Sequence, residues 1–239
     1  MRLNKLRYYK ADIVSGAKFH VSIGHSTLLS TVTLFYEEST QNESNFSLDN
    51  EYAFLASTAE LSENVKAPDN ITIFALIEFD HAAVIALNSK VLGSKLDTDV
   101  HTTSCRLAFE GQMILPITSE KYKSEFLPNL KVFKLKEKVG CVERANNEME
   151  LIGKNMFKKE TNIHLFDGFK VTLSNGLLGQ MDGPFGQSGK FKVRLKDSLN
   201  DEAKSLLMGG KKKKSDENLP KIEVKVSFKK YIFSKKMAQ

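Results

Sequence analysis

Glycine, serine and lysine converge in Gly183-Pro184-Phe185-Gly186-Gln187-Ser188-Gly189-Lys190, which runs on into Phe191-Lys192-Val193-Arg194-Leu195. These are the residue types of a phosphate cradle. There, backbone amides surround the phosphates, a lysine reaches them and a hydroxyl holds Mg²⁺. That chemistry needs glycine, four residues, then Gly-Lys-Ser/Thr. Gly183 and Gly189 stand one residue too far apart, and Phe191 occupies the place of the metal-ligating hydroxyl. Ser188 is not a nucleophile elbow either: Gly186 stands two residues before it, but Lys190 stands two after. The stretch therefore reads as a turn that enters a basic strand.

Successive side chains of a strand point to opposite faces. Lys190, Lys192 and Arg194 thus share one face, while Phe191, Val193 and Leu195 point into a barrel. Three like charges in a row repel, and a plain solvated strand mixes signs. An RNA phosphate backbone, or the acidic surface of a partner, is a fitting counterpart. Lys158-Lys159 and Lys229-Lys230 are candidate extensions of this patch, and Lys211–Lys214 reads as a solvated loop or a localisation signal. The plain alternative is that all of these are ordinary exposed lysines.

Other constellations carry less. The five histidines show no metal-ligand spacing; His20 and His25 fall in and just after one strand. Asp97 and Asp99 lack the further acids of a Ca²⁺ loop. Cys105 and Cys141 are too few for a disulfide framework or a paired-cysteine zinc site, so a reducing compartment is expected. No run approaches the roughly 18 apolar residues of a membrane span. No catalytic constellation, metal or cofactor is expected.

The elements that would position the basic strand are short strands. They are read at 17–23, 28–36, 71–79, 90–93 and 105–115, and then at 131–136, 139–145, 169–173, 177–181 and 222–228. Asn175-Gly176 between two apolar runs is a strong hairpin signal. At Lys229-Lys230 the alternation of the last strand slips, as a β-bulge would require. Residues 37–70 are acidic and polar around Tyr52-Ala53-Phe54-Leu55 and read as a surface insertion. Residues 119–127, between Pro116 and Pro128, read as a linker carrying a short helix, and 198–210 as one further helix capped by Ser198.

Charge changes sign at that linker. Residues 1–127 hold 11 Lys+Arg against 16 Asp+Glu, a net −5; residues 128–239 hold 24 against 13, a net +11. The expectation is an all-β chain of two small β-barrels, 1–118 and 128–239, the second facing something anionic.

Several segments resemble one family, the eukaryotic selenocysteine-specific elongation factors. They are Phe157-Lys158-Lys159-Glu160-Thr161-Asn162-Ile163, Phe185–Lys192, Cys105–Phe109, Phe126–Val132, and Lys18-Phe19-His20-Val21 with Gly24-His25. The resemblance implies a third domain like that of elongation factor Tu, followed by an appended barrel. It implies a translational GTPase of the cytoplasm that delivers selenocysteyl-tRNA to the ribosome at UGA codons. The last barrel would couple it to the SECIS element and its binding protein. It places His25 on the tRNA side. The GTPase motifs are absent here: Asn4-Lys5-Leu6-Arg7 lacks the last Asp of the guanine motif. GTP and Mg²⁺ would belong to a domain outside this chain, which reads as a C-terminal piece, an incomplete gene product or a stand-alone pair of barrels. Purely protein-binding barrels, or a nucleotide-binding enzyme, are the alternatives.

Overall fold

The computed structural model describes residues 1–38, 45–63, 71–99, 101, 104–186, 188–199, 222–234 and 236–239. All but the first two residues of the helix expected over 198–210, Lys211–Lys214 and parts of the acidic segment lie outside them. The chain divides into two compact units: Met1–Lys134 with Tyr231–Lys235, and Leu135–Lys230 with Lys236–Gln239.

The first unit is a closed antiparallel barrel. Its six strands are β1 (Arg2–Lys5), β2 (Lys18–Ile23), β3 (Ser26–Glu38), β5 (Ile71–Phe79), β6 (Lys90–Ser94) and β7 (Leu107–Gln112). They pair in the ring β1-β7-β6-β2-β3-β5, and β5 returns to β1 through Arg2 and Phe74. Alternation fills the interior: Phe19, Val21 and Ile23 of β2 are buried. They meet Val32, Leu34, Val91 and Phe109 in one cluster.

A second apolar cluster lies outside that ring. Strand β4 (Tyr52–Leu55) pairs with the end of β3, and Tyr52 has no exposed surface. Its ring packs with Phe35, Phe46 and Phe74, all centroids within 5.3–5.9 Å of it or of one another except for the Phe35–Phe46 pair. The described part of the acidic segment is thus no surface excursion. It covers the outer side of β3 and β5, together with Leu127 and Leu130 from the segment after β7. That segment holds α2 (Tyr122–Glu125) and a 3-10 turn, Leu127–Asn129. A short helix, α1 (Ala59–Glu63), follows β4.

The second unit repeats the barrel logic. Strands β8 (Val132–Asn147), β9 (Glu150–Lys154), β12 (Lys190–Leu195), β11 (Leu178–Phe185), β10 (Lys170–Leu173) and β13 (Glu223–Tyr231) pair in that order, and β13 also pairs with β8, which closes the ring. A two-residue strand, β14 (Met237–Ala238), adds to β13. The loop Ser174-Asn175-Gly176 joins β10 to β11, with Gly176 at φ +83° as a three-residue hairpin loop requires. Burial of Val224, Val226 and Phe228 stops before Lys229. The slip in alternation coincides with the passage of the chain from one unit to the other at Tyr231.

Phenylalanine rings pack against one another in the core of the second unit. Phe191 crosses Phe157 edge-on at 5.6 Å, and Phe166 packs against Phe157 and Phe228. Each barrel also folds a ring over a cross-strand glycine: Phe109 over Gly93, and Phe191 over Gly153. A Cβ at Gly153 would lie 2.2 Å from the Phe191 ring. Glycine is what lets the ring lie flat on the neighbouring strand.

Candidate nucleic-acid interface

Strand β12 turns Phe191, Val193 and Leu195 into the core, at 3% exposure or less. Lys190, Lys192 and Arg194 therefore lie together on the outer face, as the alternation requires. Their surroundings come from pairing. Antiparallel register sets Lys192 opposite Ile152 and Arg194 opposite Glu150 on β9, and Phe185 opposite Lys190 on β11. On β8, Arg144 stands opposite Ile152.

Each cation of the triad meets a carboxylate from another strand. Lys190 Nζ is 2.7 Å from Glu143 Oε2, Lys192 Nζ is 3.5 Å from Glu150 Oε1, and an Arg194 guanidinium nitrogen is 3.2 Å from Asp182 Oδ2. Lys154 Nζ adds a second cation at 3.6 Å from Glu143. The unbalanced row of like charge expected from β12 alone is thus a mixed-sign ladder, because β8, β9 and β11 supply the missing acids. The hydrogen bond from Lys190 holds the Glu143 carboxyl below the usual glutamate range. Glu150 is lowered too, first by the hydrogen bond from Asn146 and then by the Lys192 charge.

Among the described residues, cations still outnumber acids in this ladder. Arg144, Lys154, Lys190, Lys192 and Arg194 stand against Glu143, Glu150 and Asp182. Among the described residues Arg144 meets no carboxylate; its guanidinium carbon lies 5.8 Å from the centroid of the Phe185 ring, and Lys192 Nζ lies 5.9 Å from it. Ile152 shares this outer face by register, yet it is fully buried and belongs to none of the core clusters. The side chains around it, Arg144 and Lys192 among them, close over it. Long cationic stems cover apolar surface in this way while their heads stay wet.

The glycine-rich loop joins a further pair of lysines to one end of the face. Gly189 has φ +75°, and a Cβ there would lie 2.7 Å from the Phe157 carbonyl oxygen and 3.5 Å from the Lys158 and Lys159 backbone. Lys158 and Lys159, both exposed, therefore pack beside the residue that precedes Lys190. Lys229 and Lys230 are not brought to this face. Their strand β13 stands three strands from β12 in either direction round the ring. His25 belongs to the first unit, exposed in the two-residue turn between Ile23 of β2 and Ser26 of β3. Among the described residues, no three His, Cys, Asp or Glu side chains gather as a metal site.

The sequence signal missed Arg144, Lys154, Phe185 and the three acids. Strand β9 was the obstacle: Leu151, Ile152 and Gly153 are all buried, so no alternation marks it.

Residues 1–111 match the family described as selenocysteine-specific elongation factor, eukaryotes, 3rd domain, and residues 128–237 match the eEFSec C-terminal RIFT domain. The chain belongs to the eukaryotic selenocysteine-specific elongation factor family. It is 34% identical to the selenocysteine-specific elongation factor of Mus musculus, over 99% of this chain and 48% of that protein. It thus spans about half the length of that relative, through the third and C-terminal domains. The fold is also that of translation elongation factor SelB from Methanococcus maripaludis. Its apo form aligns at TM-score 0.53 and 13% identity, over 97% of this chain and 41% of SelB. The complex with the GTP analogue GppNHp aligns at 0.53 and 14%, over 94% and 40%. Membership gives the two barrels their order: an elongation-factor third domain, then the barrel that carries the charged face.

Proposed function

We propose that these barrels serve selenocysteine incorporation by binding RNA within a factor that delivers selenocysteyl-tRNA to the ribosome at UGA codons in the cytoplasm. They do so without catalysis of their own. The first barrel holds the tRNA, with His25 at its surface. The second couples the factor to the SECIS RNA and the SECIS-binding protein. GTP and Mg²⁺ are bound by a GTPase domain and not by these barrels. The observation that carries this reading is the outer face of β8, β9, β12 and β11, with five cations against three carboxylates and Lys158–Lys159 at its end. Paired acids keep the bare surface soluble and folded, and phosphates compete for the same cations.

The test is a salt titration of binding to selenocysteine tRNA and to SECIS RNA. Charge reversal of Lys190, Lys192 and Arg194 together should weaken binding and lower the slope of log K against log[salt] by roughly 1–3. Unchanged affinity across the titration rejects the role of the triad. One observation favours a second reading. The ladder alternates in sign, as a surface that meets a protein partner does. Retention of the SECIS-binding protein after nuclease treatment would support that reading, and tight GTP binding by this chain would support the enzyme alternative.

A further inference from the structure

Among the described residues, Phe185 is the one aromatic side chain that register places on the charged face. It ends β11 opposite Lys190, so it lies on the outer face and not in the core. The next outward position on its strand is Gly183, opposite Lys192. Gly183 puts no side chain beside the ring; it is buried, and a Cβ there would lie 3.5 Å from an Asp167 carboxylate oxygen. Arg144 and Lys192, from β8 and β12, bring their charged ends to within 6 Å of the ring centroid from positions on two other strands. The ring is half-buried, so part of it remains open to solvent.

We infer that Phe185 is a stacking platform for an unpaired nucleobase of RNA, with Arg144 and Lys192 serving its flanking phosphates. The inference rests on the RNA reading above and narrows it from RNA in general to a single-stranded or looped segment. The charge pattern supports this. A duplex is followed by rows of free cations, whereas here Lys190 and Arg194 are held by Glu143 and Asp182. The two cations nearest the ring are the more available ones: Arg144 has no carboxylate partner among the described residues, and Lys192 reaches Glu150 only at 3.5 Å. An aromatic face beside available cations is how single strands are gripped without reading a sequence. In a duplex the faces of the bases are covered by their neighbours, and the ring has nothing to stack on.

The experiment uses the full chain and two probes: a uridine-rich RNA of about 8 nucleotides carrying one 2-aminopurine, and a blunt RNA duplex. The variants are Phe185→Leu, which keeps an apolar side chain at the position, and Phe185→Tyr, which keeps a ring. The expected result is that Phe185→Leu binds the single strand about 10-fold more weakly, with loss of 2-aminopurine quenching, while Phe185→Tyr retains both. Duplex binding should be the same in all three proteins. Equal single-strand affinity and quenching in Phe185→Leu and the unmodified chain would overturn the platform while leaving the RNA reading standing. Failure of the unmodified chain to bind either probe, or tRNA or SECIS RNA, would overturn both.

Discussion

The ammonium of Lys190 and the carboxylate of Glu143 lie 2.7 Å apart although 47 positions separate them in the chain, and Lys154 reaches the same carboxylate from β9. One acid thus restrains two cations at the end of the face nearest Gly189. Replacing it should release both. Glu143→Gln is expected to bind RNA more tightly at low salt, with a slope of log K against log[salt] steeper by about 1. Filter binding between low and physiological salt measures it.

The same pair sets a pH dependence. The folded-state pKa of Glu143 is depressed below 4.5, chiefly by the hydrogen bond from Lys190. A depressed carboxyl contributes stability that is present above its unfolded pKa and is lost as pH falls through the folded value. The unmodified chain should therefore lose stability below about pH 4.5 more steeply than Glu143→Gln. The pair is partly exposed, so the difference should stay within about 1 kcal/mol. Urea titrations at stepped pH show it.

Tyr122 offers the opposite sign. Its hydroxyl donates to Glu78 at 2.7 Å and anchors α2 to β5. Burial, and then that carboxylate, push the phenol up to about 12. A raised pKa contributes stability that is whole below the unfolded value near 10 and is lost as pH rises through the folded one. Tyr122→Phe should cost about 0.5–1.5 kcal/mol near neutral pH and remove one late-titrating phenol from the alkaline ultraviolet titration.

Gly189 ties the loop to the lysines behind it. A side chain at φ +75° costs about 1–2 kcal/mol by itself, and its Cβ would press on the Phe157 carbonyl. Gly189→Ala should destabilise the second barrel by roughly 2 kcal/mol or more, and calorimetry of the full chain would detect it. Gly186, at φ +67° with nothing within 4 Å of a Cβ, should cost only the backbone part.

How far the sequence reached follows from what each strand buries. Strand β5 was bounded at 71–79 and the β10–β11 hairpin was placed at its Asn-Gly, because local pattern and turn chemistry specify both. The triad was legible because β12 has one wet face and one dry one. Strand β9 was not, since Ile152 is buried on the outer face under Arg144 and Lys192 and erases the period of two. Strand β4 was hidden for a related reason: Tyr52 and Leu55 are buried three apart, Tyr52 in the aromatic cluster outside the ring and Leu55 in the barrel core. The partners of the triad were out of reach altogether. Glu143, Glu150 and Asp182 become neighbours of β12 only through register, which is set by long-range pairing and not by local pattern.

The ladder itself leaves two roles to separate, and a charge swap does it. If Lys190 serves only to pair with Glu143, then Lys190→Glu should destabilise the barrel by at most about 1 kcal/mol, and adding Glu143→Lys should restore the loss. The swapped protein would carry the same net charge, the same two side chains and the ion pair reversed. If Lys190 also meets RNA phosphate from its place beside Lys158 and Lys159, the swap should restore stability without restoring affinity, because the cation now stands on β8. The expected outcome is recovery of the denaturation midpoint with RNA binding still weakened severalfold. Recovery of both would assign Lys190 to the barrel alone and move the phosphate contact to Arg144, Lys158 and Lys159.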